Sequence, residues 1–166
     1  MGCPKQPNDH DDVEEPDANQ AHATESAEPG YDGLEDRILQ IRRRDRRFAR
    51  NAYYFALDAL DFTMSRLGKD KKTGEERHVG GRELLIGIQE VAAEHFGPMA
   101  AVVFKRWGIH TTEDFGEIVF NLIDAGLLSR RPEDSRLDFA SGIDFERVFE
   151  EKFRERIAAI SEAAPE

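Results

Sequence analysis

Leu34, Ile41, Phe48, Phe55 and Phe62 recur at every seventh position, and Ile38, Ala52 and Ala59 fill the same side. A stripe of this kind is the narrow seam that a helix buries. No Pro or Gly falls between Leu34 and Leu67. The spacing therefore predicts one long helix over 34–67, with Gly68 as the stop just past its end. Asp45 interrupts the seam, so the first turns are expected to be freer than the rest. The seam suits a core, and a homodimer is the sharper alternative. Residues 68–81, GKDKKTGEERHVGG, read as a polar loop. A second helix follows over 82–96, with Leu84, Leu85, Ile88, Val91 and Ala92 as its apolar face. Gly97 and Pro98 break it and open a short third helix from Met99 to Trp107.

Thr111 suits the cap of a fourth helix over 111–125, with Asp114 placed to complete a capping box. Phe115, Ile118, Val119 and Leu122 form its buried stripe. "LLSRR" and "SRLDF", separated by "PED", read as the two strands of a hairpin. Asp144 caps a last helix with Phe145, Val148, Phe149, Phe153, Ile157 and Ile160 inside. This order predicts a mainly α fold with a small β-hairpin: a winged-helix-like core braced by a long N-terminal helix and a C-terminal helix. One domain is expected over 34–161, with 162–166 as a frayed C-terminus.

Charge alters this picture at one end. The net charge is −11, yet residues 1–33 hold nine acids against Lys5, which leaves about −3 for the rest. Four prolines and few apolar side chains in 1–33 cannot offset the entropy of ordering, so this stretch is expected to be a disordered acidic tail. It suits a solubilising role, or an arm that shields a basic partner or the Arg surface of its own chain. Its one cysteine, Cys3, forms no internal disulfide. Gln6 stands where the myristoylation pattern wants Ser or Thr. No apolar run suggests a signal peptide or a membrane span, and the expected location is cytoplasmic.

Two charged surfaces stand out on the predicted helices. Arg43, Arg46, Arg47 and Arg50 follow an i, i+3, i+4, i+7 spacing, with Tyr54 one turn later. They would form a basic stripe facing solvent, roughly 130° from the Phe seam. It is the candidate surface for RNA, DNA, a ribosome or another anion. The helix over 111–125 has the opposite sign, with Glu113, Asp114, Glu117 and Asp124. A groove-reading helix needs cations and amides towards DNA, so direct readout by this one is disfavoured. Glu113, Asp114, Gly116, Glu117, Phe120 and Asn121 are instead the candidate protein-binding face, with Phe120 either packed inside or exposed as an apolar anchor.

Catalytic chemistry finds little support. The histidines His10, His22, His78, His95 and His110 show no metal-ligand spacing, and no metal or cofactor is expected. Glu113, Asp114 and Glu117 begin a helix, where acids stabilise the fold. "HVGGRELL" lacks both phosphate-loop patterns, so its glycines read as a plain helix start. Gly87 and Gly116 inside helices point to close helix contact more than to chemistry.

The blocks "AYYFALDALDFT", "HVGGRELLIGI", "HFGPMAAVVFKRWGI", "TEDFGEIVFNL" and "DSRLDF" resemble a bacterial family of conserved hypothetical proteins, the "Minf" family. The resemblance spans roughly residues 47–153. It implies one intact domain and brings no activity, cofactor or partner with it. The residues therefore favour a non-catalytic protein–protein interaction or regulatory module using the acidic helix, with nucleic acid through the Arg stripe as the alternative.

Overall fold

The computed structural model describes residues 32–163, so the acidic tail predicted for 1–33 lies almost wholly outside it, as do the last three residues. The described residues form six α-helices: α1 (Asp32–Arg44), α2 (Arg50–Arg66), α3 (Gly81–Phe96), α4 (Ala100–Arg106), α5 (Thr112–Asp124) and α6 (Phe145–Ala163). Short 3-10 turns occupy Gly74–Arg77, Gly97–Met99 and Arg136–Phe139. α2 packs on α3 and α5, α1 lies over α2 and α5, and α6 covers α4 and the end of α3.

The single helix expected over 34–67 is two helices. Asp45 causes the break: its carboxylate accepts the Arg47 backbone N–H at 3.1 Å, a bond an uninterrupted helix would give to a carbonyl. The Ala49 N–H donates to the Trp107 carbonyl at 2.9 Å, so the chain turns against α4. Gly108 makes that contact feasible, with φ +87° and the Arg47 carbonyl 2.1 Å from where a Cβ would stand. Most of the predicted seam is still buried, because each helix turns its own part inward: Ile38, Ile41, Phe48, Ala52, Phe55 and Ala59 are all core.

The expected hairpin is absent: no strand occurs among the described residues, and the winged-helix-like reading is overturned with it. Local side chains take the N–H groups that a β-ladder would need. Asp134 accepts from Arg131 N at 2.6 Å, Asp138 from Ser135 N at 2.9 Å, and Ser135 Oγ from Leu137 N at 3.2 Å. The segment ends in Phe139, only 3% exposed, whose ring lies against Gly116 of α5 and Gly81 of α3.

Aromatic rings fill the centre. Phe104 of α4 meets Phe115, Phe145, Phe55 and Phe149 with centroids 5.1, 5.3, 5.4 and 5.6 Å away, all edge-on. That geometry adds to the burial of large rings. α6 departs from expectation along its length. Phe145 and Phe149 are core, but Phe153, Ile157 and Ile160 are 40%, 51% and 66% exposed, so the helix runs past the body it packs on. Gly87 of α3 marks the close approach of α2, for a Cβ there would stand 1.8 Å from Thr63 Oγ1.

Candidate functional site

The helix α5 is held by its acids. Asp114 accepts the N–H groups of His110 and Thr111 at 2.8 and 3.0 Å, completing the predicted cap. Glu113 is exposed beside it, its carboxyl kept below the ordinary value by a hydrogen bond from its own backbone N–H. Glu117 bridges Arg47 at 3.1 Å and Arg136 at 2.7 Å. Asn121 donates to Asp45 at 3.0 Å and to the Tyr53 hydroxyl at 3.3 Å. Burial pushes the Tyr53 phenol up. Gly116 is covered by Phe139, and Phe120 is 4% exposed beneath the guanidiniums of Arg136 and Arg130, 4.3 and 5.2 Å from its ring centre. The six candidate residues therefore lie on one helix but not on one free face. Glu113 alone among them is exposed, and Phe120 is packed rather than displayed.

The Arg stripe is divided by the break at Asp45. Arg47 donates to both oxygens of Asp45 at 3.0 and 2.7 Å, which holds that carboxyl at a pKa of about 2 and raises the guanidinium's own. Arg50 pairs with Glu35 at 2.7 Å. Arg42, which flanks the stripe, donates to the Phe48 carbonyl at 3.3 Å. Arg43 and Arg46 are exposed, as is Arg44 between them, and none of the three forms an ion pair among the described residues. Tyr54 lies away from them, half-buried in a depression shared with Leu34 and Leu57.

A concavity lies on the other side of α5. It is a half-open groove of about 670 Å³ between α2, α5, the start of α3 and the segment after α5. Leu57, Leu60 and Met64 of α2, spaced i, i+3, i+7, form one wall. Val119, Phe120 and Ile123 of α5 supply the floor, with Leu127 and Leu128 beyond. Leu57, Leu60, Met64, Ile123, Leu127 and Leu128 are each only half-buried, so the lining is open to solvent. The rim is polar: Asp61 stands on the α2 side, Arg130 and Arg131 on the other. His78 and Asp134 close one end through a 2.8 Å contact. Beside it Lys69 donates to Glu83 at 2.8 Å and lowers that carboxyl's pKa.

These polar groups are engaged by one another and by nearby backbone. Asp134 is shared between His78 and a backbone N–H, and Asp138 is taken by the turn it caps. Among the described residues no group of three or more His, Cys, Asp or Glu is placed to hold a metal ion. None of the described helices is long and apolar enough to cross a membrane.

The chain matches no family model, no curated protein and no solved structure. Apart from Phe120, the groove residues were not singled out from the sequence, although a signal for them exists. Tyr53, Leu57, Leu60 and Met64 form a second apolar column beside the Phe seam, wider than one narrow stripe requires.

Proposed function

We propose that this chain is a non-catalytic docking module that seats an amphipathic helix of a partner protein in the groove between α2 and α5. The observation that carries this reading is the apolar lining left half-buried, with Leu57, Leu60, Ile123, Leu127 and Leu128 converging on one open channel. A concavity of this size and lining is the usual form of a binding site, and an open channel accepts the apolar stripe of a helix. The rim selects the partner's flanks: acids beside Arg130 and Arg131, and a base beside Asp61. This keeps the interaction-module class and uses α5, but through its inner face. The acids Asp114 and Glu117 serve the fold instead, as cap and as bridge to Arg47 and Arg136.

The test is selection of peptides displayed on phage against the full chain. Enriched sequences should carry apolar residues at i, i+3 or i+4, and i+7, with acids along one flank. Their affinity should fall at least about tenfold on Leu128→Arg, and less steeply on Arg130→Glu with Arg131→Glu. Peptides without an apolar stripe, or ones that bind Leu128→Arg as tightly as the parent, would sink the reading.

A further inference from the structure

The corner between α1 and α2 concentrates one sign of charge. Residues 42–50 hold six arginines and a single acid, Asp45, in a chain whose net charge is −11. Three of the six build the corner. Arg42, Arg47 and Arg50 turn to the Phe48 carbonyl, to Asp45 with Glu117, and to Glu35. Arg43, Arg44 and Arg46 are exposed and form no ion pair among the described residues. The fold adds a fourth cation from a distant part of the chain. The Ala49 N–H donates to the Trp107 carbonyl at 2.9 Å, and Gly108 lies against the Arg47 carbonyl, so the end of α4 is seated on the corner. Arg106, the residue before Trp107, is exposed and likewise forms no ion pair among the described residues. Its neighbour Lys105 is paired with Glu146.

The side chains themselves narrow what such a surface suits. All four are arginines, whose planar guanidinium meets two oxygens of a phosphate where a lysine offers a point charge. The nearby acids are engaged: Asp45 by Arg47 and Asn121, and Glu117 by Arg47 and Arg136. Aromatic rings at the corner are turned inward. Phe48 and Tyr53 are core, and Trp107 is half-buried against Phe55, Phe96 and Phe104. Binders of single strands stack bases on open rings. Helices that lie on membranes sink a continuous apolar face beneath their cations. Leu39 and Val102, the exposed apolar residues a turn before Arg43 and Arg106, stand singly on different helices. A nucleic-acid duplex needs neither feature, because its stacked bases are inside and it presents a phosphate about every 1.7 Å along its axis.

We infer that the corner formed by Arg43, Arg44, Arg46 and Arg106 binds the sugar–phosphate backbone of a double-stranded nucleic acid without reading its sequence. The surface shares no residue with the groove, so it stands or falls separately from the function proposed above. It differs from the stripe that periodicity outlines, for the turn withdraws Arg47 and Arg50 and the contact with α4 supplies Arg106. Four phosphate contacts make the binding steeply dependent on salt. The logarithm of the association constant falls against the logarithm of salt concentration with a slope of about −3 to −4.

The test is fluorescence anisotropy of short labelled DNA and RNA duplexes titrated with the full chain, beside binding to phosphatidylserine vesicles. Binding to a duplex should be saturable at about 50 mM salt and indifferent to base sequence. Each of Arg43→Gln, Arg44→Gln, Arg46→Gln and Arg106→Gln should lower the salt slope by about 1. The four changes together should weaken binding at least about tenfold. None of these side chains bonds to another described residue, so the helices should persist, which circular dichroism checks. A charge-matched variant changes Lys71, Lys72, Arg77 and Arg82 to Gln instead. These exposed cations follow the far end of α2, about 25 Å from the corner, and the variant should bind as the parent does. Tighter binding of one duplex type identifies the preferred nucleic acid, and either preference supports the inference. It is overturned if neither duplex binds saturably, if vesicles are bound where duplexes are not, or if the charge-matched variant loses as much as the corner variant.

Discussion

Asp45 is the residue on which most of the local structure turns. It ends α1, orders Arg47, and ties the corner to Asn121 of α5. Its folded pKa of about 2 lies below the ordinary 3.8. A depressed carboxylate contributes stability that is complete above the unfolded value and lost as pH falls through the folded one. The chain should therefore lose stability between about pH 4 and pH 2 by way of Asp45. Asp45→Asn should cost about 1–3 kcal/mol at neutral pH and flatten that acid limb in urea unfolding. Parallel limbs for parent and variant would assign the loss to another group. Gly87 offers a second test at this scale. Gly87→Ala sets a methyl against Thr63 Oγ1, with an expected cost of about 1–3 kcal/mol. Combined with Thr63→Ala it should be less harmful than the two single changes summed, a coupling that a double-mutant cycle measures. The sequence made Gly87 conspicuous as a costly residue inside a helix. It could not name Thr63, because which helices touch is decided by packing across the chain.

At the scale of elements, apolar spacing located all of the helices except the break in the first. The missed boundary had a visible cause in Asp45, which lies off-pattern in the seam. Periodicity continued across it because both halves bury the same face. The hairpin was misread for a related reason. "LLSRR" and "SRLDF" alternate like strands, but Asp134, Ser135 and Asp138 sit where each can cap a turn, and short local bonds form in preference to a two-stranded ladder. α6 divides the other way, since its apolar positions continue beyond the body available to cover them. Phe149→Ala should then cost about 3–5 kcal/mol. Ile157→Glu, eight residues on along the same helix, should change thermal stability by no more than about 0.5 kcal/mol. A large loss on Ile157→Glu would mean that the overhanging half is packed in solution.

At the scale of the molecule, three surfaces were legible to different degrees. The basic corner was read as a stripe. Its residues were identified, but half of them are spent on the turn that the stripe did not foresee. The acidic face of α5 was read mainly from charge, and half of that charge, Asp114 and Glu117, is taken up by backbone N–H groups and by Arg47 and Arg136. The groove went unread because it belongs to no single element. Its wall, floor and rim come from α2, α5 and the segment after α5, and only assembly brings them together.

The clasp at Gly108 also bears on the order in which the molecule assembles. It joins two points about sixty residues apart, a loop whose closure entropy must be met before the contact returns anything. The α2–α3 pair spans far less chain and can form earlier. The clasp should therefore be absent from the folding transition state. Gly108→Ala, which forces a methyl onto the Arg47 carbonyl, should leave the folding arm of a chevron plot near that of the parent. It should instead steepen the loss on the unfolding side, raising the unfolding rate by the whole of the destabilisation. The clasp would then act as a late-closing latch, setting how long the folded state lasts rather than how fast it is reached.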